Sequence, residues 1–240
     1  MRLGVNIDHI ATLRQARRGR RPDPIEAAQV CERAGAHQIV CHVREDRRHI
    51  QETDVRRLKR TLRIPLNLEM SIAPEMVRLA LAVRPNSATL VPERRQELTT
   101  EGGLDVSRLA GRLRRIVPAF AQAGIAVSLF IDPDPRQVRV AHELGVPSIE
   151  LHTGRYAQAN STRAQARELR VLAQAATLGH QLGLVIAAGH GVDYDNAAPL
   201  ARIAQIEELN IGFSIVSRAV FVGIDQAVRE MLALVRRHGA

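Results

Sequence analysis

The chain has no tryptophan, only two tyrosines and four phenylalanines, two cysteines, and in Lys59 a single lysine. So few aromatics leave little surface for stacking unpaired bases. That weighs against a nucleic-acid partner even though the formal net charge is +9 and Arg14, Arg17, Arg18, Arg20 and Arg21 cluster near the start. A lone lysine in a helical stretch disfavours Schiff-base chemistry. Cys31 falls in a helical segment and Cys41 in an apolar strand, so the pair reads as reduced core residues and not as a disulfide. No apolar run is long enough to cross a bilayer. Met1-Arg2 leads straight into a strand, without a basic region followed by an apolar segment, so the expected location is the cytoplasm. Low-complexity tracts, linkers and tandem repeats are also missing.

What is present suits one large core. With 45% hydrophobic and 25% charged residues over 240 positions, the composition is that of a globular protein, and residues 1–240 are expected to form a single domain. Val5 and Ile7 alternate with Asn6 and Asp8 in a first strand. Asp23-Pro24-Ile25-Glu26 combines an N-cap, a proline at the first helical position and a following glutamate, and the helix should end near Gly35. The alternation then repeats. Strands are expected at Gln38–Val43, Pro65–Met70, Ser87–Pro92, Ala126–Asp132, Ser148–Gly154, Leu184–Gly191 and Leu209–Gly212. Between them lie helices capped at Thr53 and Asp134, opened by Pro74, or marked by apolar residues at helical spacing, such as Val106, Leu109, Leu113, Val117 and Phe120. Eight strand-then-helix units predict an α/β protein, a closed (β/α)₈ TIM barrel, whose usual size is about 250 residues. An open doubly wound sheet is the alternative, but no strand leads into the glycine pattern of a dinucleotide site.

In such a barrel the carboxyl ends of the strands share one face, and polar residues collect there: Asn6, Asp8, His9, His42, Arg44, Glu69, Glu150, His152 and His190. One such histidine is ordinarily structural, but titratable or charged groups ending most of the strands point to a catalytic site. Asp8 also has a simple alternative role as a helix cap. Gly189-His190-Gly191 and Gly212 stand where barrels hold phosphate through backbone N–H groups. For His42, Glu69 and His190, acid–base work is favoured over metal binding because no close ligand pair such as His-x-x-x-His is present, although ligands from separate strands could still meet. The polar loop 93–105, with Gly102-Gly103, reads as a lid over that face. A phosphosugar isomerase or aldolase is the alternative enzyme, and a basic RNA-binding protein the alternative of another class.

The segments Gly4-Val5-Asn6-Ile7-Asp8-His9-Ile10-Ala11-Thr12-Leu13-Arg14, His42-Val43-Arg44-Glu45-Asp46-Arg47-Arg48-His49-Ile50, Asn67-Leu68-Glu69-Met70, Leu90-Val91-Pro92-Glu93, Thr99 to Val106 and Ala188-Gly189-His190-Gly191 together resemble the pyridoxine 5′-phosphate synthase family over nearly the whole chain. The resemblance implies a barrel enzyme that condenses 3-amino-2-oxopropyl phosphate with 1-deoxy-D-xylulose 5-phosphate, using no metal or organic cofactor, and that assembles as an octamer. By the same resemblance His42 and Glu69 are proton acceptors, His190 a proton donor and Glu150 a transition-state stabiliser. Asp8, His9, Arg44, His49 and Thr99 resemble the deoxyxylulose phosphate site. Asn6, Arg17, Gly191 and Gly212 resemble the aminoketone phosphate site. Phe213 departs from the pattern, since many relatives have histidine there, and a contact at this position must come from its backbone N–H.

Overall fold

The computed structural model of the chain describes residues 1–93 and 102–239. Thr99 and most of the loop read as a lid lie outside these residues. In chain order the described elements are β1 (Arg2–Asn6), α1 (Asp8–Ala16), α2 (Pro24–Ala34), β2 (Gln38–His42), α3 (Glu52–Thr61), β3 (Leu66–Met70), α4 (Pro74–Val83), β4 (Ser87–Leu90) and α5 (Val106–Gln122). They continue with β5 (Ala126–Ile131), α6 (Pro135–Glu143), β6 (Ser148–His152), α7 (Gly154–Ala157), α8 (Thr162–Gln181), β7 (Val185–Gly189), α9 (Ala197–Ala201), β8 (Glu208–Ile211), α10 (Phe213–Val222) and α11 (Ile224–His238). Every neighbouring strand pair is parallel, and β8 closes on β1 through Arg2↔Glu208 to Val5↔Ile211. Each parallel step needs a crossover, which the intervening helices supply.

Local signals account for much of this order. Asp23 accepts a hydrogen bond from the Ile25 N–H at 3.0 Å and Asp134 one from Arg136 at 2.8 Å, capping α2 and α6, each with a proline directly after the cap. The third helix departs from expectation. Gln51, not Thr53, is its N-cap, and Asp54 turns back to accept from the Gln51 N–H at 2.9 Å. Several strands are a residue or two shorter than the apolar runs suggest, because residues such as Val43 stay buried beyond the last pairing. The closing helical region is two helices, α10 and α11, separated by Gly223.

The apolar core sits between sheet and helices. Alternate strand residues such as Leu3, Val5, Ile39, Leu68, Leu129, Ile149, Ile186 and Leu209 are fully buried and pack in one cluster with the helices. The other strand face, inside the barrel, is polar. Gln38 donates to Glu208 at 2.5 Å and to Asn210 at 3.3 Å, Asn67 and Thr89 bond to each other, and Asn210 donates to Glu150 at 2.8 Å. Gly4 makes room for this network, since a β-carbon there would stand 2.0 Å from the Asn210 Oδ1. Both cysteines are buried and free, and burial pushes the Cys31 thiol up to about 12, as suits inert core residues.

One member of the arginine cluster serves the fold. Arg14 is buried, and its Nη1 and Nη2 lie 2.8 and 2.7 Å from the two carboxylate oxygens of Asp54, with a third bond from Nη2 to the His49 carbonyl. This fork ties α1 to α3 beneath the loop after β2. Breaking it strands a buried guanidinium. Asp54→Ala should therefore cost about 3–5 kcal/mol of stability in urea unfolding at pH 7, and a loss below about 1 kcal/mol would show the pair to be dispensable.

Candidate active site

A cavity of about 1050 Å³ opens at the carboxyl ends of the strands. It is lined by Asn6, Asp8, His9, His42, Arg44, His49, Glu69, Glu150, His190, Gly191, Gly212 and Phe213, all singled out from the sequence. Arg17 is not among the lining residues; it is the exposed C-cap of α1.

The barrel rim is held together by side chains that also face the cavity. Asn6, the last residue of β1, accepts from the Asp8 N–H at 2.8 Å and donates to the carboxylates of Asp8 (2.9 Å) and Glu69 (3.3 Å). Asp8 then accepts the His42 N–H at 2.8 Å, joining the end of β1 to that of β2. Asp8 opens α1 without capping it; its carboxylate crosses to the neighbouring strand. Asp8, His42 and Glu69 each place one potential ligand atom within 4.8 Å of the others, close enough to hold a cation. Protein donors already occupy much of this set: His42 N–H and Asn6 bond Asp8, Asn6 bonds Glu69, and the His42 Nε2 lies 2.8 Å from Glu93.

Burial dominates the electrostatics, with neighbouring charges adding to it. Burial, the neighbouring Glu150 and then Asp8 raise the Glu69 pKa well above the ordinary carboxylate range, with the Asn6 hydrogen bond opposing them. Glu150, buried on β6, is pushed up to about 7 by burial and by Glu208, against the bond from Asn210. His190 is lowered to about 4, by burial and then by His152, whose ring lies edge-on at 4.9 Å. Burial also lowers His9 and His49. The site thus pairs carboxyls that hold protons with imidazoles that shed them, which suits repeated proton transfer.

For anions, Arg44 is buried at the cavity wall and Arg48 lines it. Past β1 from them, α10 begins at Phe213 after β8, and Gly212, Phe213 and Ser214 all line the cavity, so a helix N-terminus borders the space. The Phe213 ring itself packs edge-on against His9 at 5.1 Å.

Sequence reasoning missed three participants. Glu93 bonds His42, Asn210 bonds Glu150, and Asp132 lies 3.1 Å from His152. Asn210 had a legible signal: it is the polar residue between Leu209 and Ile211 in a strand otherwise apolar there. Asp132 directly follows β5 and Glu93 lies three residues past β4, both at the catalytic end that marked the others, but no local pattern shows which histidine each meets.

A family model described as "Pyridoxal phosphate biosynthesis protein PdxJ" matches residues 3–237. Among curated relatives, the pyridoxine 5′-phosphate synthase of Trichlorobacter lovleyi is 55% identical over 98% of this chain and 99% of its own. That of Synechococcus sp. is 59% identical over 95% and 96%. Two solved structures of low sequence identity share the fold. The tryptophan synthase A-subunit of Pyrococcus furiosus has a TM-score of 0.65 at 10% identity, covering 97% of both chains. The phosphoribosylanthranilate isomerase of Thermotoga maritima has 0.60 at 12%, covering 99% of both.

The Glu150 proton gives a pH test. With a folded pKa of about 7 against an ordinary 4.5, the folded state binds this proton more tightly than the unfolded chain. Its contribution to stability is fully present below about 4.5 and is lost as pH rises through about 7. Glu150→Gln, which cannot ionise, should gain stability relative to the native chain between pH 5 and pH 8 in urea unfolding; an equal difference at both pH values would contradict the protonated carboxyl.

Proposed function

We infer the activity from a membership the comparisons establish: the chain belongs to the pyridoxal phosphate biosynthesis protein PdxJ family. It is an enzyme that makes pyridoxine 5′-phosphate, a transferase-class reaction joining 3-amino-2-oxopropyl phosphate to 1-deoxy-D-xylulose 5-phosphate with loss of phosphate and water. The observation that carries this reading is the meeting of Asp8, His42, Glu69, Glu150 and His190 on one cavity whose walls also offer Arg44 and a helix N-terminus. Amine addition to a ketone, dehydration, phosphate loss and ring closure are successive proton transfers between two phosphorylated reactants, so several acid–base groups and two anion subsites are what the chemistry requires.

In this reading His42 and Glu69 accept protons, His190 donates one, and Glu150 stabilises the charge that develops on the condensing atoms. Glu69 holds a proton while the cavity is empty, and a cationic amine or imine beside it draws the pKa back down so that the carboxylate can act as base. His190 is neutral in the empty cavity, and a phosphate dianion next to it raises its proton affinity toward that of a donor. Deoxyxylulose phosphate lies against Asp8, His9, Arg44, His49 and Thr99. The aminoketone phosphate takes Asn6, Arg17, Gly191, Gly212 and the Phe213 N–H, with the amides at the start of α10 supporting the phosphate. The reaction is read as free of metal and organic cofactors, because a cation among Asp8, His42 and Glu69 would have to displace the donors those groups already serve.

Residues 1–240 are taken as one barrel domain, supported by the single closed sheet. The location is read as cytoplasmic, and among the described residues no helix is long and apolar enough to cross a membrane. Nucleic acid is not a partner in this account. A homo-octamer is consistent with the exposed apolar surface of Leu13 on α1 and Phe213, Val220 and Phe221 on α10, since a lone chain rarely leaves such side chains bare together.

Incubation with both substrates should yield pyridoxine 5′-phosphate. Glu69→Gln should keep its fold and lose on the order of 10²-fold or more in turnover; near-normal turnover by the folded variant contradicts the assignment. Arg17→Ala should weaken binding of the aminoketone phosphate while Arg21→Ala, whose arginine meets Glu26 on the surface, should not. Equal effects would reduce the arginine cluster to a diffuse field.

A further inference from the structure

Glu93 follows β4, whereas His42 ends β2, with the strand that carries Glu69 between them. The Glu93 side chain is only 5% exposed, with Oε1 2.8 Å from the His42 Nε2 and Oε2 accepting the backbone N–H of Glu45 at 2.9 Å. Burial by itself would raise the Glu93 pKa, but the bonds from His42 and the Glu45 N–H, with the positive charge of Arg44, outweigh it and hold the carboxyl below its ordinary value. It is therefore an acceptor at both oxygens. The Glu45 N–H can only donate, and His42 must donate from Nε2 to satisfy the other oxygen.

We propose that Glu93 is a positioning residue for His42: it fixes the imidazole in the Nε2–H form, leaving the Nδ1 lone pair to take a proton in the reaction. This rests on the reading of His42 as a proton acceptor. The backbone of His42 is already anchored through its N–H to Asp8, so Asp8 sets where the residue stands and Glu93 sets how its ring is turned and which nitrogen is basic. Nothing assigns Glu93 a role in the resemblance that identified the other site residues. Its action is indirect, through the imidazole.

The arrangement makes an unusual prediction for two substitutions. In Glu93→Gln the side-chain carbonyl can serve only one of the two donors. The Glu45 N–H is fixed as a donor while the imidazole can change tautomer, so the amide turns its NH₂ toward His42, Nε2 becomes the acceptor and the proton moves to Nδ1. The base is then blocked. Glu93→Ala removes the partner but leaves the ring free to sample the basic tautomer. The near-isosteric glutamine should accordingly do more harm than alanine: kcat lower by on the order of 10²-fold or more against about tenfold, with KM within about twofold in both. A role in packing or loop anchoring alone predicts the reverse order.

Steady-state kinetics of the full chain, with melting curves to confirm folding, and ¹⁵N NMR of histidine-labelled protein together decide it. The expected result is glutamine worse than alanine, and a His42 protonated at Nε2 in the native chain and at Nδ1 in Glu93→Gln. Alanine as harmful as glutamine or more so, or a native His42 protonated at Nδ1, overturns the proposal. His42→Asn separates the two levels of the argument. Near-native turnover by His42→Asn defeats the reading of His42 as the proton acceptor and this inference with it, whereas a dead His42→Asn beside an active Glu93→Gln defeats the inference alone.

Discussion

Burial, reinforced by neighbouring acids, raises the Glu69 and Glu150 carboxyls above their ordinary range in one cavity, and the organisation of the site follows from that constraint. Burial removes the water that would screen the charges, so the cheapest arrangement keeps a proton on a carboxyl. Asn6 determines much of the outcome. It donates to both Asp8 and Glu69, and the Asp8 carboxylate is further bonded by the His42 N–H, whereas for Glu69 the single Asn6 bond does not outweigh burial, which raises its pKa. A proton stored beside two further acids is available to a substrate that brings positive charge.

The same constraint explains the polar interior of the barrel. Gln38, Asn67, Thr89, Glu208 and Asn210 are buried where a purely apolar filling would serve stability, and each is hydrogen-bonded to another. Asn210 carries this network up to Glu150, so the orientation of a cavity carboxyl is fixed from below by residues that never reach solvent. The apolar annulus between sheet and helices supplies the cohesion that lets the interior be polar. On the same side of the barrel the imidazoles of His152 and His190 meet edge-on, with Asp132 on the first of them, so histidines as well as acids are held by partners from neighbouring strands.

Much of this was legible in the chain because it is periodic. Strand follows helix around all eight strands, and polar residues at the ends of several strands, such as Asn6, His42, Glu69 and His190, lie on the cavity as the barrel geometry dictates. Helix starts at Asp23 and Asp134 were legible because capping depends only on residues a few positions away. What the sequence hid is long-range. Arg14 was visible only as a member of the basic cluster, and its bond to Asp54 exists only once α1 is placed against α3. Gln51 won the cap of α3 over Thr53 because Asp54 answers both Gln51 and Arg14, a tertiary preference no local pattern encodes. The pairing of Glu93 with His42 needs three strands in register before it exists.

The account stands or falls on where the resting proton sits, and one measurement reads it directly. In protein labelled with ¹³C at the glutamate carboxyls, with Glu69→Gln used to assign the signal, the Glu69 resonance can be followed by NMR from pH 4 to pH 9 in the absence of substrate. The predicted result is a carboxyl that titrates well above its ordinary 4.5. A Glu69 midpoint near 4.5 would contradict it and leave the buried acids without the role given to them here.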